Sequence, residues 1–220
     1  MMSVKRYSYR KNGNVKLSAH FAVREFRCAD GTDTVLIDDA LVKRPESIRA
    51  HFGKSVKISS AYRTAAHQAK VGKSKHSYHV KGQAADIIIT GVSPHRVAQA
   101  AEALGIDGVG CYDNKKFTHI DTRPASKRAF WHYNSVGVMK YVATFSECPY
   151  TEPSKALQYG DKGAAWIQWH LKKCGAKVSI DGKFGPNTKA ALIAFQKKRG
   201  LTTDGIAGSK TRQALKLGVV

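Results

Sequence analysis

The chain is short of acid. Its 220 residues hold 16 Asp and Glu against 37 Lys and Arg, a formal net charge of +21 at pH 7. A field of that sign favours polyanionic partners, whether nucleic acid, anionic lipid or the acidic polymers of a bacterial wall, and weakens with salt. Long apolar runs are also missing. No stretch approaches the roughly 18 to 20 apolar residues of a membrane span, so no transmembrane segment is expected. The basic start "MMSVKRYSYRKNGNVK" has no apolar run behind it, and no Sec-type signal peptide is read there. Cys28, Cys111, Cys148 and Cys174 form no CxxC pair, which argues against a disulfide framework or a four-cysteine metal site and for reduced thiols. The cations are dispersed, with "KKR" at 197–199 the longest run, and no stacking-aromatic motif accompanies them. No specific nucleic-acid partner is therefore expected, and salt-sensitive DNA binding stands as the alternative that charge alone suggests. A hydrophobic content of 42% fits a folded chain with one sizeable core or two modest ones, and nothing in the sequence sets an oligomeric state.

Two textures follow one another. From about residue 17 to 125, strand-like runs ("SVKISS" 55–60, "ADIIIT" 85–90, "KFTHID" 116–121) alternate with helix-like segments, an α+β pattern with a small mixed or antiparallel sheet. "SPHRVAQAAEALG" opens on Ser93 as N-cap with Pro94 at the first helical position, and Gly105 closes it. "IDDALVKRPESIRAHFG" is helical in pattern, with Pro45 expected to break or kink it near Arg44. Periodicity fades over 126–154, and "ECPYTEPSK" reads as a linker. Residues 155–220 hold an internal repeat: "DGKFGPNTKAAL" and "DGIAGSKTRQAL" lie at an offset of 23 and each predicts a turn leading into a helix. With "AAWIQWHLKKCG" before them, whose Ile167, Leu171 and Cys174 share a face ending at Gly175, the result is a three-helix module. That tail has 13 Lys and Arg, 3 Asp and no Glu, and carries no nucleophile-base constellation, so it reads as a binding module. Trp166 and Trp169 could stack on sugars, although at least one is expected in the core.

The chemistry concentrates in "SYHVKGQAAD" (77–86) and "FTHIDTR" (117–123). In a strand, the period of two puts His119 and Asp121 on one face. His79, Asp86 and His119 would supply the mixed nitrogen and oxygen shell of a catalytic zinc site, with a fourth position left for water. Asp121 would serve as the nearby carboxylate base. With nine histidines in the chain, a chance trio of ordinary polar or core residues is the competing reading. His76 reads as a loop histidine, His132 as a packing residue, and Cys28 and Cys111 as buried thiols.

"SYHVKGQAAD" resembles the SxHxxGxAxD signature of the LAS-type zinc peptidases, the M15 group of D-alanyl-D-alanine carboxypeptidases and related peptidoglycan endopeptidases, at Ser77, His79, Gly82, Ala84 and Asp86. The similarity runs from "LSAHFAVREFRC" through "SSAYRT" to "GVGCYDNKKFTHIDTR", about residues 17–125. The resemblance implies zinc (Zn2+) held by His79, Asp86 and His119, with Arg63 facing the substrate and Ser77 supporting the site by hydrogen bonding. It departs at Lys116, where many members carry the catalytic acid three residues before the last histidine. Asp121 is then the base candidate and Asp113 the runner-up.

The tail is similar to three-helix peptidoglycan-binding domains through "DGKFGPNT" and "FQKKRGLTTDGIAGSKT". The two resemblances imply a catalytic domain at 1–125, a linker at 126–154 and a wall-binding domain at 155–220. The implied partners are peptidoglycan and anionic wall polymers. Function is then expected to be a zinc-dependent peptidoglycan hydrolase of the phage-endolysin type, released from the host cytoplasm to the wall. A D-Ala-D-Ala carboxypeptidase, an exported autolysin and a non-catalytic wall-binding protein are the alternatives.

Overall fold

The computed structural model describes residues 4–72, 74 and 76–218. The chain divides into two compact units, Met1–Phe145 and Ser146–Val220.

In the first unit, β1 (Val4–Ser8) and β2 (Thr34–Asp38) form an antiparallel pair, and six further strands form one sheet. These are β3 (Lys57–Ser60), β4 (Ala84–Ile88), β5 (Gly108–Tyr112), β6 (Phe117–Asp121), β7 (Ala129–Tyr133) and β8 (Met139–Val142), in the order β3-β4-β6-β5-β7-β8. All neighbours run antiparallel except β5 and β7, so the sheet is mixed as expected. Strand alternation gives the sheet two different faces. Ala85, Ile87, Val109, Ile120 and Phe130 point into a core shared with α2 (Asp39–Phe52) and α4 (Pro94–Ala103). The residues between them, Asp86, Gly110, His119 and Trp131, occupy the other face. Two short helices, α1 (Tyr9–Asn12) and α3 (Ala65–Val71), complete the unit.

The start of α4 follows its cap: Ser93 accepts the amide of Arg96, Pro94 sits in the first turn, and Gly105 adopts φ +79° after the last turn. Two expectations fail. α2 is not broken at Arg44 but runs through Pro45, which lies buried beside Leu41, Val42 and Ile48. Proline removes one amide donor at a cost of about 3 kcal/mol, which core burial of that face, the Asp38 cap and the left-handed Gly53 stop offset. The stretch 126–154 is also not all linker. β7 and β8 lie within it, and the first unit continues to Phe145, whose buried ring packs on Phe130. These strands are short, and β8 is largely exposed, so neither shows an apolar alternation.

The second unit has three helices, α5 (Ala165–Lys173), α6 (Pro186–Lys198) and α7 (Ser209–Gly218), around Trp166, Ile167, Leu171, Phe184, Leu192 and Leu215. Trp166 is in this core, its ring tilted against that of His170, while Trp169 is half-buried with Lys173 over its ring. The repeat has a polar counterpart inside. Gln168 Nε2 donates toward Asp181, the Lys183 carbonyl and Thr188, and its Oε1 accepts the amides of Asp181 and Gly182. Gln196 does the same with Asp204, the Ile206 carbonyl, Thr211 and the Gly205 amide. Each buried amide thus ties a turn to the helix after it, and Gly182 and Gly205 take the positive φ those turns need. No described helix is long and apolar enough to cross a membrane.

Replacing Gln196 by Ala strands buried donors and acceptors at once. Chemical denaturation followed by Trp fluorescence should show the second unit losing about 3 kcal/mol, with the first unit's transition unmoved.

Candidate active site

The site is built by pairing in register on the face of the sheet away from the α2 and α4 core. β4 and β6 place Asp86 opposite His119 and Ala84 opposite Asp121, and β5 presents Gly110 and Gly108 to the same two rows. The loop before β4 supplies His79, whose Nδ1 lies 2.6 Å from the carbonyl oxygen of Ala61. That contact assigns the proton to Nδ1 and turns the unprotonated Nε2 toward the other residues. Ser77 Oγ accepts the His79 amide at 3.3 Å within the same loop.

Three donor atoms converge. His79 Nε2 is 3.2 Å from His119 Nδ1 and 3.3 Å from Asp86 Oδ1, and His119 Nδ1 is 3.0 Å from Asp86 Oδ1. Bonds of 2.0–2.1 Å at tetrahedral angles put neighbouring zinc ligands about 3.3 Å apart, so this triangle has the size of one face of a zinc tetrahedron. The donor set of two imidazoles and one carboxylate suits the same ion, and all three residues are buried. His76 is exposed and takes no part in the cluster.

The surrounding shell departs from expectation in two places. Asp121 Oδ2 contacts His119 Nε2 at 3.1 Å, the ring nitrogen pointing away from the cluster. It is fully buried, and Arg123 binds both its oxygens through the backbone amide, Nε and Nη2 at 2.7–3.0 Å. A carboxylate fixed in this way orients His119 from the side away from the three donor atoms, where a base would not sit. Asp113, the runner-up, lies on the opposite face of the sheet with Cys111 and His132. Spacing put Asp121 on the correct face but could not tell which ring nitrogen it would meet. Arg63 donates to Asp86 Oδ2, Ser60 Oγ and Gln68 Oε1, leaving Oδ1 of Asp86 to the cluster.

Comparison with known proteins gives a family match over each unit. The family described as "Peptidase M15" matches residues 19–121, and that described as "Putative peptidoglycan binding domain" matches residues 161–215. The chain carries a Peptidase M15 domain. Within it, 96 residues are 34% identical to the "Probable peptidoglycan L,D-endopeptidase MepK" of Haemophilus influenzae, covering 40% of this chain and 52% of that protein. The Escherichia coli "Peptidoglycan L,D-endopeptidase MepK" is 39% identical over 77 residues, 33% of this chain and 42% of that protein. The "Zinc D-Ala-D-Ala carboxypeptidase" of Streptomyces albus G is 44% identical over 63 residues, 26% of this chain and 25% of that protein. The chain thus spans about half or less of the length of these relatives.

Electrostatics in the M15 domain favour a cation. Burial pushes the pKa of His79 down. Burial likewise opposes charge on His119, yet hydrogen bonds to Asp121 and Asp86 carry it up to about 9. Asp86 and Asp121 stay well below the usual carboxylate range despite burial: Asp86 by the two imidazoles, Asp121 by Arg123 and His119. Of these two carboxylates only Asp86 lies at Nδ1, where an ion would replace the Nδ1 proton, while Asp121 keeps a proton on Nε2.

The M15 domain also uses residues that spacing did not single out. Trp131 Nε1 donates to the Tyr112 hydroxyl at 3.0 Å, and the Trp131 ring is 5.1 Å from that of His119. Arg123 lies over both Tyr78 and Trp131. The two glycines make room for this: a Cβ at Gly108 would overlap the Asp121 carboxylate, and one at Gly110 would overlap Trp131. The alternate glycines of "GVGCY" were the available signal.

Asp121→Asn should keep the fold but weaken zinc binding about 10- to 100-fold, as loss of an outer carboxylate partner does elsewhere. Competition with a chromophoric chelator measures it. Unchanged zinc affinity in the variant would mean that Asp121 does not act through His119.

Proposed function

We propose that this chain is a zinc-dependent peptidoglycan hydrolase that cleaves an amide bond of the wall's peptide network and is held on the wall by its second unit. The observation that carries the reading is the buried His79 Nε2, Asp86 Oδ1, His119 Nδ1 triangle of zinc dimensions. When bound there, zinc supplies Lewis acidity and lowers the pKa of water at its open position. Asp121 and Arg123 fix the tautomer and tilt of His119, and Arg63 fixes Asp86. The Tyr112 oxygen is occupied by Trp131 Nε1–H, so its own proton is free to be donated to a substrate carbonyl.

An internal peptide bond is favoured over a terminal one. The relatives named as L,D-endopeptidases align over more of this chain than the one named as a carboxypeptidase. A wall-binding module also serves an enzyme that opens an insoluble mesh, because tethering raises its effective concentration there. The +21 charge adds attraction to anionic wall polymers. A lytic, endolysin-type role at the wall, reached from the cytoplasm of a lysing host, goes with this reading. The D-Ala-D-Ala carboxypeptidase is the second reading, supported by the 44% identical segment.

Mass spectrometry of soluble products from purified peptidoglycan decides among these. Zinc-loaded wild type should release stem-peptide fragments with a defined new amino terminus, and His79→Ala or chelated protein should release none. Release of D-alanine alone would mean a carboxypeptidase, and no product from several wall types would leave a wall-binding protein without hydrolase activity.

A further inference from the structure

A second set of metal-binding side chains lies on the opposite face of the same sheet. Cys111 on β5 and His132 on β7 are direct partners on adjacent parallel strands, and Asp113 follows β5 by one residue. The Asp113 amide donates to the Tyr133 carbonyl, which holds its side chain against the strand pair. Asp113 Oδ1 is 3.5 Å from Cys111 Sγ, and Oδ2 is 2.6 Å from His132 Nε2. Ligand atoms of all three residues lie within 4.8 Å of one another. The ring of His95, in the first turn of α4, is centred 5.9 Å from that of His132 and adds a further imidazole beside the cluster.

A buried thiol next to an Asp–His pair can arise from packing alone. This cluster differs in three ways. It joins thiol, carboxylate and imidazole within one ligand radius. Its sulfur-to-oxygen separation is close to the edge of about 3.6 Å that a tetrahedral zinc with one sulfur and one oxygen ligand requires. Finally, it is accessible: the Asp113 and His132 side chains are 31% and 29% exposed, while the sulfur is buried behind them. The 2.6 Å contact between Asp113 and His132 would open to about 3.3 Å as an ion replaces the shared proton.

We propose that Cys111, Asp113 and His132 form a second zinc site, separate from the His79–Asp86–His119 cluster, in which the ion ties β5 to β7 on the helix-covered face. The mixed thiolate, imidazole and carboxylate set selects a borderline-soft divalent ion such as zinc over magnesium or calcium. Binding forms the metal–sulfur bond and releases the thiol proton to solvent. Without an ion, burial and Asp113 push the Cys111 thiol up to about 12, so it is no nucleophile. The proposal does not depend on the hydrolase reading.

Cobalt separates the two sites, because only this one contains sulfur. Cobalt-loaded wild type should bind two equivalents and show a near-ultraviolet sulfur-to-cobalt charge-transfer band. His79→Ala should bind one equivalent and keep the band. Cys111→Ser and His132→Ala should each bind one equivalent, Cys111→Ser without the band and His132→Ala with it abolished or strongly reduced. The His132 change, at a partly exposed position, guards against a folding defect in the Cys111 variant. One equivalent with no such band in the wild type, or a band that survives Cys111→Ser, would overturn the proposal.

Discussion

Everything chemical in the first unit depends on the register of three strands. β4, β6 and β5 set Asp86, His119 and Gly110 in one row and Ala84, Asp121 and Gly108 in the next. Side chains alternate across a sheet, so a slip of one residue would carry the histidine and both aspartates into the helix-packed core. The core residues between them, Ala85, Ile87, Ile120 and Val109, oppose such a slip because they are fully buried on the other face. Burial on one side therefore holds polar geometry on the other. The rows also divide the work: the first carries ligand atoms, and the second carries the carboxylate that orients them. In both, glycine on β5 leaves the space that larger side chains then fill.

Much of this was legible in the sequence because it is local. The Ser93 cap, Pro94 and Gly105 delimit α4 by backbone chemistry alone. The repeated Asp-Gly turns before α6 and α7 show the same logic, though the buried Gln168 and Gln196 that fasten them lie on preceding helices, outside the repeated segments. His79 and Asp86 stand in one motif, a loop feeding a strand, and His119 in a separate strand, so that the family resemblance and not spacing grouped the three. What spacing could not carry was orientation. Asp121 shares a face with His119, but only the fold shows that it meets Nε2 and is closed off by Arg123. Asp113 is near in sequence and still faces the other way, because it lies two residues beyond Cys111 and so shares that residue's face of the sheet.

The remaining misreadings come from tertiary context overriding local preference. Pro45 is a helix breaker in isolation, but in α2 it is one of four buried residues on a packed face. β7 and β8 have weak patterns of their own and exist because β5 offers an edge to pair with. Trp131 shows the consequence for function: it sits in a segment without clear periodicity, yet parallel pairing with β5 brings its ring beside His119 and its indole N–H to Tyr112. A domain boundary drawn where periodicity fades would have cut it away from the site it serves.

The most direct test of the account is zinc-edge anomalous diffraction from crystals of the zinc-loaded protein. The account predicts a peak about 2.0–2.2 Å from His79 Nε2, Asp86 Oδ1 and His119 Nδ1, with Asp121 still bound to His119 Nε2. No peak at that cluster, or an ion held through His119 Nε2 and Asp121, would contradict it.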